Sequence, residues 1–118
     1  MRVTVLMVDD HNGFRARARA MLEASGFDVV GEATDGRTAV AAAERLRPEL
    51  ALVDIGLPDL DGFAVASALR AAGFVRRIVL ISGREAADFG DRVATSAADG
   101  FIPKADLSGD GLLALVRP

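Results

Sequence analysis

The sequence has no cysteine, tryptophan or tyrosine, and its only histidine is His11. Without cysteine the chain cannot form disulfides or cysteine-based zinc sites, and one histidine cannot make a histidine cluster. Any metal ion is therefore expected to be held by oxygen. Lysine is almost as rare, because Lys104 is the only lysine among 14 basic residues. The chain uses arginine wherever a generic positive charge is needed.

Long apolar runs are also missing, and the first residues show no signal-peptide pattern before they reach two aspartates. We therefore expect a cytoplasmic protein without membrane association. The net charge of -3 lacks the basic excess typical of nucleic-acid-binding domains, so we expect no direct nucleic-acid binding by this chain. The length of 118 residues suits one domain over residues 1–118.

Short apolar runs alternate along the chain with longer segments of helical period. The runs predict five strands, at Val3 to Val8, Val29 to Ala33, Leu50 to Val53, Ile78 to Ile81 and Phe101 to Ile102. Apolar residues three and four apart predict helices around Phe14 to Leu22, Val40 to Leu46, Phe63 to Leu69, Phe89 to Ala97 and Leu112 to Val116. Strands that are apolar throughout are buried on both faces, so helices must cover both sides of a parallel sheet. The sequence thus predicts an α/β fold with a doubly wound, five-stranded parallel sheet.

Two of the predicted helices have weak sequences. The fourth contains Asp88, Gly90 and Asp91, and glycine alone costs about 1 kcal/mol relative to alanine inside a helix. We expect this helix to be short or mobile. The last helix is expected from about Ser108 to Arg117, and its short apolar stripe makes it dependent on tertiary packing.

Polar residues follow the predicted strands where each one ends. Asp9 and Asp10 come after the first strand, Asp54 after the third, Ser82 after the fourth and Lys104 after the fifth. Ligands of open α/β sheets bind at this carboxyl edge, where the strand order reverses. Carboxylates about 5 Å apart repel by roughly 3 kcal/mol at an effective dielectric near 20, so they need a raised pKa or a hard cation such as Mg²⁺. Alternatively, one of the first two aspartates caps the first helix.

The third strand runs into the string Asp54-Ile55-Gly56-Leu57-Pro58-Asp59-Leu60-Asp61-Gly62. A carboxylate is ionised at neutral pH and attacks phosphorus without a general base. The string is also typical of a turn, in which Asp61 caps the next helix. Lys104 offers a compact ammonium to a phosphoryl oxygen and Ser82 a hydroxyl, although each residue alone is a weak signal.

Together these motifs resemble a bacterial response-regulator receiver domain over essentially the whole chain. The shared motifs are Asp-Asp after the first strand, Asp-x-x-x-Pro-x-x-Asp-Gly after the third, Ser after the fourth and Lys after the fifth. Three further runs resemble receivers of the NarL/LuxR type: Val8-Asp9-Asp10-His11, Phe14-Arg15 and Val30-Gly31-Glu32-Ala33. The resemblance implies a flavodoxin-like (βα)5 fold and a phosphorylation-activated switch of a two-component system.

The resemblance also implies a role for each residue of the motifs. Asp54 would accept a phosphoryl group from a sensor histidine kinase, and Ser82 and Lys104 would contact that group. Mg²⁺ would be held by Asp10, Asp54, the backbone carbonyl of Gly56 and, directly or through water, Asp9. Phe101 would be the rotamer switch, and phosphorylation would change the surface from the fourth helix to the fifth strand. The chain would catalyse only its own phosphoryl transfer and dephosphorylation.

Receivers of this type usually precede a C-terminal helix-turn-helix output domain, so the resemblance implies a longer transcription regulator. On phosphorylation its changed surface would form a homodimer or dock the output domain. A stand-alone receiver is the alternative. The chain departs from the family at two positions. Ala105 stands where a proline often follows the lysine in a cis bond, so no cis bond is expected. Phe101 replaces the commoner tyrosine. Gly56 and Arg84 hold the positions that flank the attacking water in receivers.

Three other classes compete with this interpretation. A phosphatase of the haloacid dehalogenase type needs a second aspartate two residues after the nucleophile, where this chain has Gly56. A flavodoxin-like cofactor module needs a phosphate-binding loop after the first strand, where this chain has two aspartates. A degenerate receiver that acts only as a protein interaction module is the third, and the intact acidic pocket argues against it.

Overall fold

The computed structural model of the protein describes residues 2–116, which build one parallel sheet. Its strands are β1 (Thr4–Val8), β2 (Asp28–Ala33), β3 (Leu50–Asp54), β4 (Arg77–Ser82) and β5 (Gly100–Pro103). They lie in the order β2-β1-β3-β4-β5, and every neighbouring pair is parallel. The strand order reverses beside β1, so the carboxyl ends of β1 and β3 flank the point where open α/β sheets bind ligands.

Helices cover both faces of the sheet, because alternate residues of each strand point to opposite sides. On one face lie α2 (Gly36–Leu46) and α3 (Gly62–Ala72), and on the other lie α1 (Asn12–Ala24) and α4 (Gly109–Val116). In β1, Leu6 and Val8 join the core under α2 and α3, whereas Val5 and Met7 join the core under α1 and α4. The doubly wound, five-stranded, flavodoxin-like fold is therefore confirmed.

The connection between β4 and β5 differs from the prediction. We predicted a short or mobile α-helix around Phe89 to Ala97, but the structure has a 3-10 helix at Ala86–Phe89 followed by turns. Gly90 ends this 3-10 helix with a φ of 62°, a left-handed conformation that an α-helix does not tolerate. The prediction of an α-helix there was wrong, and the glycine that weakened it is the physical reason.

The last helix, α4, begins at Gly109, close to the predicted start, and buries Leu112 in the core. A side chain on Gly109 would clash with the Ser25 hydroxyl at the end of α1, so only glycine allows this close approach. The predicted last residue of the helix, Arg117, lies outside the described residues. Over residues 2–116, no helix is both long and apolar enough to cross a membrane.

Candidate functional site

Asp9 lies at the carboxyl end of β1 and is held from three sides. Its side chain is 1% exposed, and Oδ1 accepts the backbone N–H of His11 at 2.8 Å. Its Oδ2 lies 2.7 Å from the ammonium of Lys104. The guanidinium of Arg15 donates to the Asp9 carbonyl at 2.6 Å. The N-cap residue of α1 is His11, so the alternative that Asp9 or Asp10 caps this helix is wrong.

Asp54 ends β3, the strand beside β1, and is also buried. Its Oδ2 lies 3.6 Å from Lys104 Nζ, and its Oδ1 accepts the backbone N–H of Gly56 in a long contact of 3.4 Å. Burial raises the pKa of the Asp54 carboxyl, and the nearby charge of Asp9 raises it further. The ammonium of Lys104 opposes both effects without cancelling them. Without a bound cation, the site therefore disfavours the ionised form of the Asp54 carboxyl.

Lys104 projects from the end of β5 between the two buried carboxylates. Its side chain is partly covered by the Phe14 ring, whose centroid is 4.4 Å from Nζ, close enough for a cation–π contact. The single lysine of the chain thus reaches Asp9 and Asp54 at once. The Lys104–Ala105 peptide bond is trans, as is every other peptide bond among residues 2–116.

The pocket fits a divalent cation. Asp9, Asp10, His11 and Asp54 each offer one ligand atom, and these atoms all lie within 4.8 Å of one another. The buried Oδ2 of Asp9 has the Lys104 ammonium as its ionic partner, 2.7 Å away. Three carboxylates face one ammonium, and hard oxygen ligands are what Mg²⁺ prefers. The residues present therefore match a Mg²⁺ site.

Ser82 lies at the same edge of the sheet. It is buried at the end of β4, one residue past the Ile81 that pairs with Asp54, and it pairs with Pro103 just before Lys104. Its hydroxyl oxygen accepts the backbone N–H of Arg84 at 3.0 Å. Since that bond uses only a lone pair, the hydroxyl proton stays available to donate.

The turn after Asp54 needs glycine at its end. A Cβ on Gly62 would lie 2.6 Å from the Asp54 carbonyl oxygen and 2.7 Å from Ile55 Cα. The carboxylate of Asp61 caps α3 by accepting the N–H of Ala64 at 2.8 Å, as the turn interpretation predicted. The motif therefore shapes the backbone that presents Asp54, whatever else it does.

Phe101, the predicted switch residue, lies at one end of a row of three rings. Its centroid is 6.2 Å from that of Phe89, which is in turn 5.8 Å from Phe63 of α3, and both pairs meet edge to face. Arg92 lies over the Phe63 ring at 4.3 Å and pairs with Asp61 at 3.0 Å. The segment between β4 and β5 is thus attached to the first turn of α3, next to the Asp54 turn.

The response regulator receiver domain family matches residues 5–117 of the chain. This chain belongs to the response regulator receiver domain family. The receiver is similar to the signal receiver domain of the response regulator NarL from Mycobacterium tuberculosis, with a TM-score of 0.87, 31% identity, and coverage of 98% of this chain and 96% of that one. This similarity confirms the predicted NarL/LuxR type.

Two curated relatives of the receiver are larger proteins. It is 36% identical to the transcription regulator BvgA of Bordetella pertussis over 100 residues, which cover 85% of this chain and 48% of BvgA. It is 41% identical to a protein-glutamate methylesterase/protein-glutamine glutaminase of Alkalilimnicola ehrlichii, over 93% of this chain and 29% of that protein. The receiver therefore spans about half or less of the length of the curated relatives it matches.

Arg15 is a residue of the receiver's pocket to which the sequence assigned no role. Its guanidinium donates to the Asp9 carbonyl, and its Nε donates to Glu32 Oε1 of β2 at 2.8 Å. It also donates to the side chain of Asn12. Glu32 in turn pairs with Arg19 at 2.6 Å. The spacing of Arg15 four residues after His11 was a signal that it faces the end of β1. Its partner could not be chosen from sequence, because the chain offers many acidic and basic residues.

Proposed function

We propose that the receiver accepts a phosphoryl group on Asp54 from a sensor histidine kinase and acts as the switch of a two-component system in the cytoplasm. One observation supports this most. At the carboxyl edge of the sheet, the Asp9 and Asp54 carboxylates both lie within 3.6 Å of the Lys104 ammonium. An ionised carboxylate beside a fixed cation is what an attack on phosphorus requires.

In the proposed reaction, one oxygen of the Asp54 carboxylate forms a bond to phosphorus while the bond from phosphorus to the donor's histidine nitrogen breaks. The histidine leaves with the electron pair of that bond. Lys104 lies where its ammonium would pair with an oxygen of the transferred group, and Ser82 would donate its hydroxyl proton to another. The phosphoryl oxygens bring further negative charge close to Asp9, which the ammonium of Lys104 would help to offset.

Mg²⁺ would be held by the carboxylates of Asp10 and Asp54, the backbone carbonyl of Gly56 and, directly or through water, Asp9. When bound, it supplies positive charge that offsets the three carboxylates and the charge of the phosphoryl oxygens. The clustering of Asp9, Asp10 and Asp54, whose ligand atoms lie within 4.8 Å of one another, supports this assignment. The chain itself would catalyse only its own phosphoryl transfer and dephosphorylation.

We further propose that phosphorylation changes the surface of residues 83–104 through Ser82 and Phe101. The row of rings supports this, because edge-to-face packing connects Phe101 through Phe89 to Phe63 of α3. The output would be a C-terminal helix-turn-helix domain outside this chain, as in a transcription regulator, with dimerisation on phosphorylation. Similarity to BvgA supports that output, and similarity to the methylesterase is a reason to test it.

The test is labelling with acetyl phosphate and Mg²⁺, followed by mass spectrometry of the intact protein. We expect a gain of one phosphoryl group, which Asp54→Asn abolishes. The matched control is Asp28→Asn, an exposed aspartate at the amino end of β2, on the opposite edge of the sheet. Full labelling of Asp54→Asn would contradict the assignment. No labelling of the unmodified protein would favour the degenerate receiver instead.

A further inference from the structure

Phe14 belongs to a run that resembles the NarL/LuxR receivers, but the proposed function gives it no role. It lies in the first turn of α1, directly before Arg15. Its ring covers the ammonium of Lys104, with 4.4 Å between the ring centroid and Nζ. The ring is half-buried and packs against the core under α1 and α4. The contact therefore joins the start of α1 to the end of β5.

The ammonium of Lys104 has three close partners, and the ring is the uncharged one. Nζ lies 2.7 Å from Asp9 Oδ2 and 3.6 Å from Asp54 Oδ2. In the proposed function both carboxylates are shared with Mg²⁺, which weakens their hold on the ammonium. The negative face of an aromatic ring attracts a cation without taking part in that exchange of charge. The contact with Phe14 therefore persists while the charges around it change.

The helical turn that carries the ring is itself tied to the end of β1. Arg15 donates to the Asp9 carbonyl at 2.6 Å and to Glu32 of β2 at 2.8 Å. Consecutive residues thus hold the two sides of the central ion pair, because Phe14 contacts Lys104 and Arg15 contacts the backbone of Asp9. A ring fixed in this way restricts the lysine stem, which is flexible by itself.

We propose that Phe14 is a positioning residue, which holds the Lys104 ammonium between Asp9 and Asp54 for the phosphoryl transfer. The inference rests on the proposed function, in which Lys104 pairs with an oxygen of the transferred group. Phe14 and Lys104 both line a cavity of about 680 Å³ beside α1. Without the ring, the ammonium can turn into this cavity, and the transferred oxygen then loses its cation for part of the time.

The first experiment compares initial rates of acetyl phosphate labelling at saturating Mg²⁺. Phe14→Leu keeps an apolar side chain but has no aromatic face, so we expect its rate to fall by about threefold to tenfold, the scale of a partly covered cation–π contact. Phe14→Tyr keeps the face and has room for its hydroxyl in the cavity, so its rate should stay within about twofold of the unmodified protein.

The matched control is Phe74→Leu. Phe74 lies shortly before β4, at the opposite edge of the sheet, and its ring centroid is 4.5 Å from Cζ of Arg47. The substitution thus removes a similar contact between a ring and a cation away from Asp54. We expect it to leave the labelling rate unchanged. A loss as large as that of Phe14→Leu would overturn the inference, because any lost ring contact would then suffice.

The second experiment replaces Phe14 with phenylalanines that carry one, two or three ring fluorines. Fluorine weakens the negative face of the ring while its shape is nearly kept, so the labelling rate should fall stepwise with each fluorine. A merely structural role of Phe14 would not produce this series. A rate independent of fluorination would overturn the inference, even if Phe14→Leu failed to fold.

The third experiment uses the unphosphorylated protein and does not depend on labelling. Lys104 is the only lysine, so NMR of isotopically labelled lysine reports on it alone. The ring current should shift the Cε protons of Lys104 upfield in the unmodified protein and in Phe14→Tyr, but not in Phe14→Leu. Absence of that shift from the unmodified protein would overturn the inference, as would equal labelling rates for it and Phe14→Leu. If the unmodified protein is not labelled, the proposed function fails, whereas the lysine spectrum still decides whether the ring holds the ammonium.

Discussion

Replacing Asp54 with asparagine should make the metal-free receiver more stable at neutral pH. At an effective dielectric of 20, repulsion between carboxylates within 4.8 Å is at least roughly 3.5 kcal/mol, while Lys104 at 3.6 Å attracts Asp54 by about 4.6 kcal/mol. The exposed Asp10 adds a smaller, screened repulsion, and burial adds a penalty for the charge itself. Together, the two repulsions and the burial penalty exceed the attraction by Lys104. We therefore expect Asp54→Asn to raise the free energy of unfolding by about 1–3 kcal/mol.

The gain should depend on pH in a defined direction. The pKa of Asp54 is raised above its ordinary value of 3.8, mainly by burial and then by Asp9. A carboxyl with a raised pKa in the folded state favours folding when protonated, and it loses that contribution as pH rises from its ordinary pKa through the raised one. The advantage of Asp54→Asn should therefore be largest near pH 7 and should shrink as the pH falls through that interval.

Urea unfolding in the presence of a chelator measures this gain at several pH values. Asp28→Asn, at the opposite edge of the sheet, is the control and should show no such pH-dependent gain. The reasoning would be refuted if Asp54→Asn were less stable than the unmodified protein at pH 7, or if its advantage grew on acidification. Saturating Mg²⁺ should stabilise the unmodified protein by more than the variant, since the ion binds the folded carboxylates.

Three further predictions concern the metal, the lifetime of the phosphorylated state and the output. Asp10→Ala should weaken Mg²⁺ binding by about tenfold or more in a calorimetric titration, because a carboxylate ligand is lost. An unchanged affinity would show that Asp10 is not a ligand of the ion. Arg84→Ala should change the half-life of phospho-Asp54 severalfold, because Arg84 is exposed beside Ser82; an unaltered half-life in a radiolabel decay assay would exclude that role. Beryllofluoride with Mg²⁺ should alter hydrogen exchange over residues 83–104 or the sedimentation coefficient; if neither responds, the proposed switch surface is wrong.

Much of the fold could be predicted because its strands are apolar throughout. A run such as Leu50 to Val53 has no polar face, which requires cover on both sides and hence a parallel sheet with crossover helices. Once the strands were set, the polar residues after them had to meet at one edge. The convergence of Asp9, Asp54 and Lys104 followed from topology alone, without knowledge of any side-chain conformation.

The failures have local physical causes. Phe89, Val93 and Ala97 have helical spacing, but the positive φ of Gly90 interrupts the helix. Phe89 instead packs its ring against Phe63 of α3, and Val93 and Ala97 pack against the same core without forming a helix. The contact of Arg15 with the Asp9 carbonyl could not be predicted, because a guanidinium can donate to any of several acceptors near the end of β1. One histidine cannot form a histidine cluster, but the structure places His11 beside Asp9, Asp10 and Asp54, with ligand atoms within 4.8 Å of one another.

The central claim is that Asp54 is the phosphoacceptor, and reductive trapping tests it most directly. The receiver is labelled with acetyl phosphate and Mg²⁺, then treated with borohydride, which reduces an aspartyl phosphate to homoserine but leaves free carboxylates intact. Peptide mass spectrometry should find homoserine at position 54 and at no other aspartate. Homoserine at position 9 or 10, or a protein with every aspartate intact, would contradict the account.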